Sequence, residues 1–339
     1  MMANGRPSQK HQAPLLRELE YHARGAFVFG KQLLGLSARA DKTYFVDRLD
    51  RALRTGRLGA DVGILATGKN DGAGSQAQAA MSALCFARAH GASYVHRPFK
   101  TIEHAEFAMP DWVKAWEDYY NLGAGERRLG EDDAPVVPID RIDAAAGRQR
   151  CVIEAEHYLH YCNKDPDAWE RVMPELRRKF WLNKQPRSRQ DGTLRVAVHM
   201  RRGDVSAGNK KVARNFTPNA TFVNTLTRLR SLLTAKGKAL TIEVFSQGDP
   251  KMFADLATLG AELRLDAPAL DTHRGLVEAD ILVMSKGAFS YTAALLNEGV
   301  VLYDPQKYRA LQDWVVRSPD GSFDEAEVSA RLAALFTRG

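Results

Sequence analysis

The stretch RVAVHMRRGDVSAGN, Arg195–Asn209, closes an apolar run with an imidazole, two guanidiniums, a glycine and a carboxylate: His199, Arg201, Arg202, Gly203 and Asp204. A guanidinium presents a planar fork of donors that suits phosphate, and it does not lose its charge. Gly203 lets the backbone come close to a ligand. A departing phosphate needs positive charge where negative charge develops, and arginine supplies it without a metal. The cluster reads as an anion site. The alternative is an ion-paired loop, with Arg201 or Arg202 bonded to Asp204 and His199 capping a strand.

Three further clusters have the same position, just after an apolar run. GKNDGAGSQ, Gly68–Gln76, matches neither the dinucleotide fingerprint nor the P-loop, because Gly74 is followed by Ser75-Gln76-Ala77 and Gly68-Lys69 precedes the turn. It is either a tight strand-to-helix turn or a set of amides at a helix N-terminus facing an anion, with Gly74, Ser75 and Gln76 as candidates. In DTHRGLVEADILVMSKGAFSYTAALLNEG, Asp271–Gly299, a strand ends in Ser285-Lys286-Gly287 and a helix is expected to begin near Phe289 or Ser290. Ser290 is a candidate cap for that helix, Lys286 adds positive charge, and Phe289 and Tyr291 suit the core or a cleft wall. In FSQGDPKMF, Ser246, Gln247 and Asp249 follow a strand, and Asp249-Pro250 has the form of an ordinary helix start.

These residues need a scaffold, and the chain supplies β-α alternation. It has 339 residues, 45% of them hydrophobic, and at roughly 100–200 residues per domain this suggests two domains. Residues 15–60 read as amphipathic helix. VGILAT, the helical AQAAMSALCFARAHG and ASYVHRPF make a βαβ unit, which implies a parallel sheet. Between 104 and 190, DWVKAWEDYYNLG and DAWERVMPELRRKFWLN have helical spacing, APVVPI and CVIEA look like strands, and LGAGERRLGEDDAP reads as a loop. After Asp191 come a strand at 194–200, a helix near 218–235, strand LTIEVFS, helix 249–259, strand ELRLD, helix 269–279, strand ADILVMS, helix 289–298, strand VVLYD and a helix near 323–336. The expectation is an α/β protein of two Rossmann-like domains, residues 1–190 and 191–339, facing a cleft. Each polar cluster then falls at a strand end, where such folds bind ligands.

The formal charge of +7 favours an anionic partner without choosing among nucleic acid, acidic lipid and phosphorylated small molecules. Cys85, Cys151 and Cys162 are an odd number without CxxC spacing, so free thiols in a reducing compartment are expected. The polar residues 1–14 precede no apolar h-region, and no run of about 18 apolar residues occurs. A cytoplasmic protein without a transmembrane segment is expected, with peripheral membrane association left open.

Taken in order, these clusters resemble the GDP-fucose-dependent fucosyltransferase superfamily, which includes the α1,2- and α1,6-fucosyltransferases, the rhizobial nodulation fucosyltransferase and the protein O-fucosyltransferases. HMRRGD is similar to that superfamily's HxRxGD motif, FSYTAALLN to the α1,2 group's FSWWGAWLN, and GAGSQAQAAMSALCFARAHG to its GGxGNQ-plus-helix motif. The resemblance implies a GT-B fold and inverting transfer of L-fucose from GDP-fucose without a bound metal or other cofactor. It aligns Arg201 with the arginine at the β-phosphate, His199 with a histidine beside the nucleoside, and Arg202 with a second arginine of the α1,2 and α1,6 groups. Ser285–Ser290 falls where a serine-rich turn meets the diphosphate, and Asp271 lies close to the carboxylate that reads guanine. The departures are Ser75 for asparagine, Gly287-Ala288 for a serine pair, and Asn209 near the glutamate taken as base in the α1,6 group.

No Asp-x-Asp pair stands at a strand end: Asp132-Asp133 lies in a charged loop, and Asp140 and Asp143 flank a turn. Arginine and helix N-termini are therefore expected to neutralise the departing GDP. Asp204 is the candidate base, with orientation of Arg201 as its other reading and Glu103 or His104 as rivals. Trp112, Trp116 and Tyr119 offer aromatic faces to a sugar, although their spacing is also that of a core-facing helix. Expected partners are a GDP-sugar donor and a glycan or oligosaccharide acceptor. Rival readings are a transferase using another GDP-sugar, a noncatalytic nucleotide-sugar binder, and a nucleic-acid-binding protein, against which the scattered basic charges argue.

Overall fold

Val62–Ala66 carries no polar side chain, so as a strand it has no face to offer to water and needs cover on both sides, the setting of a parallel sheet. The computed structural model, which describes Ala23 and residues 42–68, 71–103, 111–130, 134–187, 192–206, 208 and 213–337, places it there. Strand β1 (Asp61–Ala66) is buried from Val62 onward. It lies between β2 (Ser93–His96) and β5 (Arg150–Ala155), with β3 (Arg127–Arg128) and β4 (Val136–Pro138) outside them, in the order β3-β2-β1-β5-β4. All pairings are parallel, and β1 and β5 match from Asp61↔Arg150 to Ala66↔Ala155.

The second half builds another parallel sheet from β6 (Thr193–His199), β7 (Ala239–Ser246), β8 (Glu262–Leu265), β9 (Ile281–Val283), β10 (Val300–Tyr303) and β11 (Trp314–Val316). Its order is β11-β10-β9-β6-β7-β8. Reading outward from β9 on one side and from β6 on the other, that is a doubly wound, Rossmann-like order. The chain is α/β, with two parallel, Rossmann-like sheets and interleaved helices, the GT-B-like arrangement expected.

The helices of the first half are α1 (Lys42–Arg54), α2 (Ala73–Ala89), α3 (Trp112–Tyr120), α4 (Leu159–Lys164) and α5 (Ala168–Trp181). Those of the second are α6 (Asn219–Ala235), α7 (Ala254–Ala257), α8 (Ala269–Val277), α9 (Ala288–Leu296) and α10 (Glu325–Thr337). Helix α2 buries 14 of its 17 residues. A helix covered all round needs small side chains on several faces, which explains its alanine-rich sequence. It packs on β1, α5 and α9, and thereby joins the halves. One apolar cluster runs from Val46 and Ile64 through Phe86, Trp116 and Phe180 to Tyr291 and Trp314, so the two sheets share a core. A second cluster, with Val198, Phe222, Val283 and Leu302, belongs to the second sheet.

Several local expectations are corrected. Arg127–Arg128 pairs with β2, in a segment read as loop; short, charged edge strands carry no apolar alternation to betray them. β11 and α4 were not anticipated, being too short for a period to show. The helix expected at 249–259 is a 3₁₀ turn, Pro250–Phe253, followed by α7. Helix α9 starts at Ala288 with Gly287 as its cap residue, so Ser290 lies inside the first turn and is not the cap. Of the helix expected at 15–60, Lys42–Arg54 is seen; positions 15–41 lie outside the described residues apart from Ala23. The three cysteines are buried and free. Among the described residues no helix is long and apolar enough to cross a membrane.

Candidate functional site

In the second sheet the chain runs outward from β6 through β7 to β8, then returns to β9 on the other side of β6. The loops leaving β6 and β9 therefore part in opposite directions, and it is beyond such a switch point that doubly wound sheets bind ligands. His199 is the last residue of β6, and Ser285-Lys286-Gly287 follows β9. In the first sheet β4 precedes β5, which returns to the side of β1, the helices after β1 and β5 pack on each other, and the loop with Asp71 and Gly72 leaves β1.

His199 Nδ1 and Ser285 Oγ share a hydrogen bond of 2.9 Å, and the imidazole centre lies 5.4 Å from that of Phe289. Burial, and then the charge of Arg201, push the His199 pKa down to about 3. The ring is neutral at physiological pH. Ser290 Oγ accepts from the Ser285 amide at 3.1 Å and fixes the turn from inside the helix.

Arg201 donates through Nε and Nη2 to Asp204 Oδ1 (3.2 Å) and Oδ2 (2.6 Å), a two-pronged clamp that orients the guanidinium. Among the described residues its Nη1 makes no hydrogen bond, and it lies against Gly287, where a Cβ would come within 2.7 Å of it. Gly287 sits at φ +133°, a conformation that L side chains rarely adopt, so the backbone there favours glycine. Gly203, at φ +76°, turns the Arg201–Asp204 loop against Gln247. Of the two readings of Asp204, orientation of Arg201 is the one this geometry supports.

Arg202 points the other way. It is 5% exposed, donates to the carbonyls of Arg201 and Thr217 and to Asn219 Oδ1, and stacks over Phe216. Ser246 Oγ donates to the Met200 carbonyl at 2.7 Å, tying β7 to the start of the loop. Asp249 accepts from the Lys251 amide, the ordinary helix start expected. Lys286 Nζ lies 3.8 Å from Asp304 Oδ1, which holds it at the strand ends. Asp271 is exposed on the first turn of α8, and among the described residues no hydrogen bond or ion pair joins it to the cluster.

The first half contributes α2, whose N-terminal residue Gly72, like Gly287 of α9, offers no side-chain cap. The two helix starts abut: a Cβ on Gly74 would lie 2.5 Å from Phe289 Cα and 2.7 Å from Phe289 N. The uncapped starts of α2 and α9 thus lie side by side, with Arg201 against the α9 start; uncapped helix starts of this kind favour anions. Gln76 is used internally, donating to the carbonyls of Asp71 (2.6 Å) and Thr101 (2.7 Å). Ser75 is half-buried on the same turn, and Glu103 is exposed. His104, Asn209 and Asp132-Asp133 lie outside the described residues. Trp112, Trp116 and Tyr119 are buried in an edge-to-face aromatic stack, with Tyr119 Oη bonded to the buried His273; they belong to the core.

Sequence reading missed the contribution of the loop after β10. Gln306 Oε1 accepts from the Gly287 amide at 2.7 Å and so holds the turn that Arg201 touches. The Lys307 ammonium is pushed below its ordinary pKa by burial and by Arg214 and Arg201, with Asp71 opposing, so these groups share one field. The signal was available: VVLYDPQK is a fifth apolar strand ending in a polar cluster.

No protein-family model matches the chain, and no curated protein sequence matches it. Among solved structures it is similar to the fucosyltransferase NodZ from Bradyrhizobium, with TM-score 0.38 and 13% identity over 70% of this chain and 92% of that one. It is similar to NodZ α-1,6-fucosyltransferase co-crystallised with GDP, with TM-score 0.37 and 11% identity over 78% and 97%. It is also similar to the E. coli heptosyltransferase WaaC with ADP-2-deoxy-2-fluoro heptose, with TM-score 0.35 and 13% identity over 82% and 100%. Likeness at this level does not identify a substrate, which has to be read from the site.

Proposed function

We propose that the chain is an inverting glycosyltransferase that moves L-fucose from GDP-fucose to a hydroxyl of a glycan acceptor. The observation that carries the reading is the Arg201 guanidinium, clamped by Asp204 and laid against Gly287 where the uncapped starts of α2 and α9 meet. A glycosyl diphosphate breaks its bond between C1 and the phosphate oxygen, and the negative charge grows on the departing diphosphate. Preorganised donors aimed at that charge are the largest single contribution an enzyme of this kind makes. Arg201, Lys286 and the helix amides fit that task, and neutral His199 and the Phe289 ring beside it suit the nucleoside.

The choice of guanosine and fucose rests on the resemblance of three segments. Two of them, Gly72–Gly91 and Phe289–Asn297, are the helices that pack start to start across the halves. The departure at Gly287 also has a physical reason, since its φ of +133° is a conformation that serine rarely adopts.

Thermal unfolding of the purified chain with GDP, UDP, ADP and their sugars tests the reading. GDP and GDP-fucose at a hundred times Kd should stabilise the fold by about 2.7 kcal/mol, a rise of several degrees that EDTA leaves in place. UDP and ADP should not produce it. A screen in which no guanosine compound raises the melting temperature would refute the donor assignment.

A further inference from the structure

The reaction needs a base for the acceptor hydroxyl, and most carboxylates of the site are already engaged. Asp204 gives both oxygens to Arg201. Asp304 serves Thr217, Lys286 and Arg317. Asp71 differs. It stands in the loop between β1 and α2, where Gln76 Nε2 and the Glu103 amide bind its carbonyl. Its carboxylate Oδ1 is buried and has no hydrogen-bond partner among the described residues. An unpaired buried polar atom costs about 1–3 kcal/mol, more if charged, and native folds rarely keep one without a use.

Its position agrees with a use at this site. Three residues on, Gly74 abuts Phe289, and two residues before Phe289 is the Gly287 that Arg201 touches. Lys307 and Tyr308 feel the charges of both Asp71 and Arg201, so the carboxylate of one half and the guanidinium of the other are both within electrostatic reach of the loop after β10. Building on the donor reading above, we infer that Asp71 is the general base that takes the proton of the attacking acceptor hydroxyl.

In that step a lone pair of the acceptor oxygen forms the new bond to C1 of fucose. The C1–oxygen bond to the β-phosphate breaks, its electron pair leaves on GDP beside Arg201, and the acceptor proton passes to the Asp71 carboxylate and then to solvent. Inversion follows from attack opposite the leaving group, and the base and the anion site belong to different halves of the chain.

The test uses the full chain and Asp71→Asn and Asp71→Ala, with GDP affinity, GDP release from GDP-fucose by hydrolysis, and fucosyl azide formation in sodium azide as readouts. Water must lose a proton to attack, whereas azide brings none. Both variants should bind GDP as the parent does and hydrolyse the donor about 10²–10⁴-fold more slowly, and azide should restore turnover to Asp71→Ala. Hydrolysis at the parent rate overturns the role. So does a loss that azide leaves unrepaired while GDP affinity falls in parallel, which marks a structural residue. A parent chain that neither binds GDP nor releases it from GDP-fucose is a distinct result: it removes the reaction itself and overturns both assignments.

Discussion

Arg201→Ala is expected to lower GDP release from GDP-fucose by about 10²–10³-fold, or below detection, while the protein stays folded. Removing one preorganised donor from a developing oxyanion typically costs about 3–4 kcal/mol of transition-state stabilisation. The same substitution costs the fold little. Asp204 is the partner of Arg201, both side chains are partly exposed (31% and 44%), and exposed ion pairs contribute about 0–1 kcal/mol. The two magnitudes separate catalysis from stability. Arg201→Lys should recover only part of the rate, because an ammonium keeps the charge but cannot fork between Asp204 and a phosphate. Arg202→Ala is the wrong control: its guanidinium is buried, and its loss strands the Thr217 carbonyl and Asn219. A folded Arg201→Ala protein with parental turnover would end the case for a site built on this residue.

The largest loss of stability is expected at Asp304, which touches the site through Lys286 but faces inward. Arg317, 1% exposed, lies 3.4 Å from Asp304 Oδ2, donates to the Met284 carbonyl and Thr225 Oγ1, and stacks over Phe222. Burial pushes its pKa down to about 10, against the pull of Asp304. Taking away one partner of a buried pair leaves the other charge uncompensated, at a cost of about 3–5 kcal/mol. Thr217 would also lose the acceptor of its 2.6 Å hydrogen bond. At about 2–4 °C per kcal/mol for a chain of a few hundred residues, Asp304→Ala should melt roughly 10 °C lower by circular dichroism. The double variant Asp304→Ala/Arg317→Met should regain much of that, since an apolar replacement removes the stranded charge. A single variant that melts with the parent would show that the pair does not hold the sheet end together.

The parts of the molecule legible in advance were those whose cause is local. Strand and helix periods along 61–100 and 193–303 come from side chains two or four residues apart, and most of those elements appear where the pattern puts them. Arg201 and Asp204 meet because they are three residues apart in one loop. The same locality explains the core assignment of Trp112, Trp116 and Tyr119, whose spacing marks the buried face of a helix. Where the cause is distant, reading failed. Residue chemistry does not tell Arg201 from Arg202, which only the resemblance set apart, and it is Thr217 and Asn219 that draw the second one inward.

By itself, then, the sequence determined the alternation of elements and the polar residues that end the strands. Which of those ends meet was decided by strand order, because parallel pairing joins residues far apart in the chain and leaves no local mark. The orders β3-β2-β1-β5-β4 and β11-β10-β9-β6-β7-β8 set which strand ends lie side by side in each sheet. The close approach of Gly74 to Phe289 brings the two halves together, with Asp71 and Arg201 beside the same seam. That one Asp71 oxygen finds no hydrogen-bond partner among the described residues has no signature short of the folded chain, and the polar end of VVLYDPQK marks the Gln306 loop without showing that it meets Gly287.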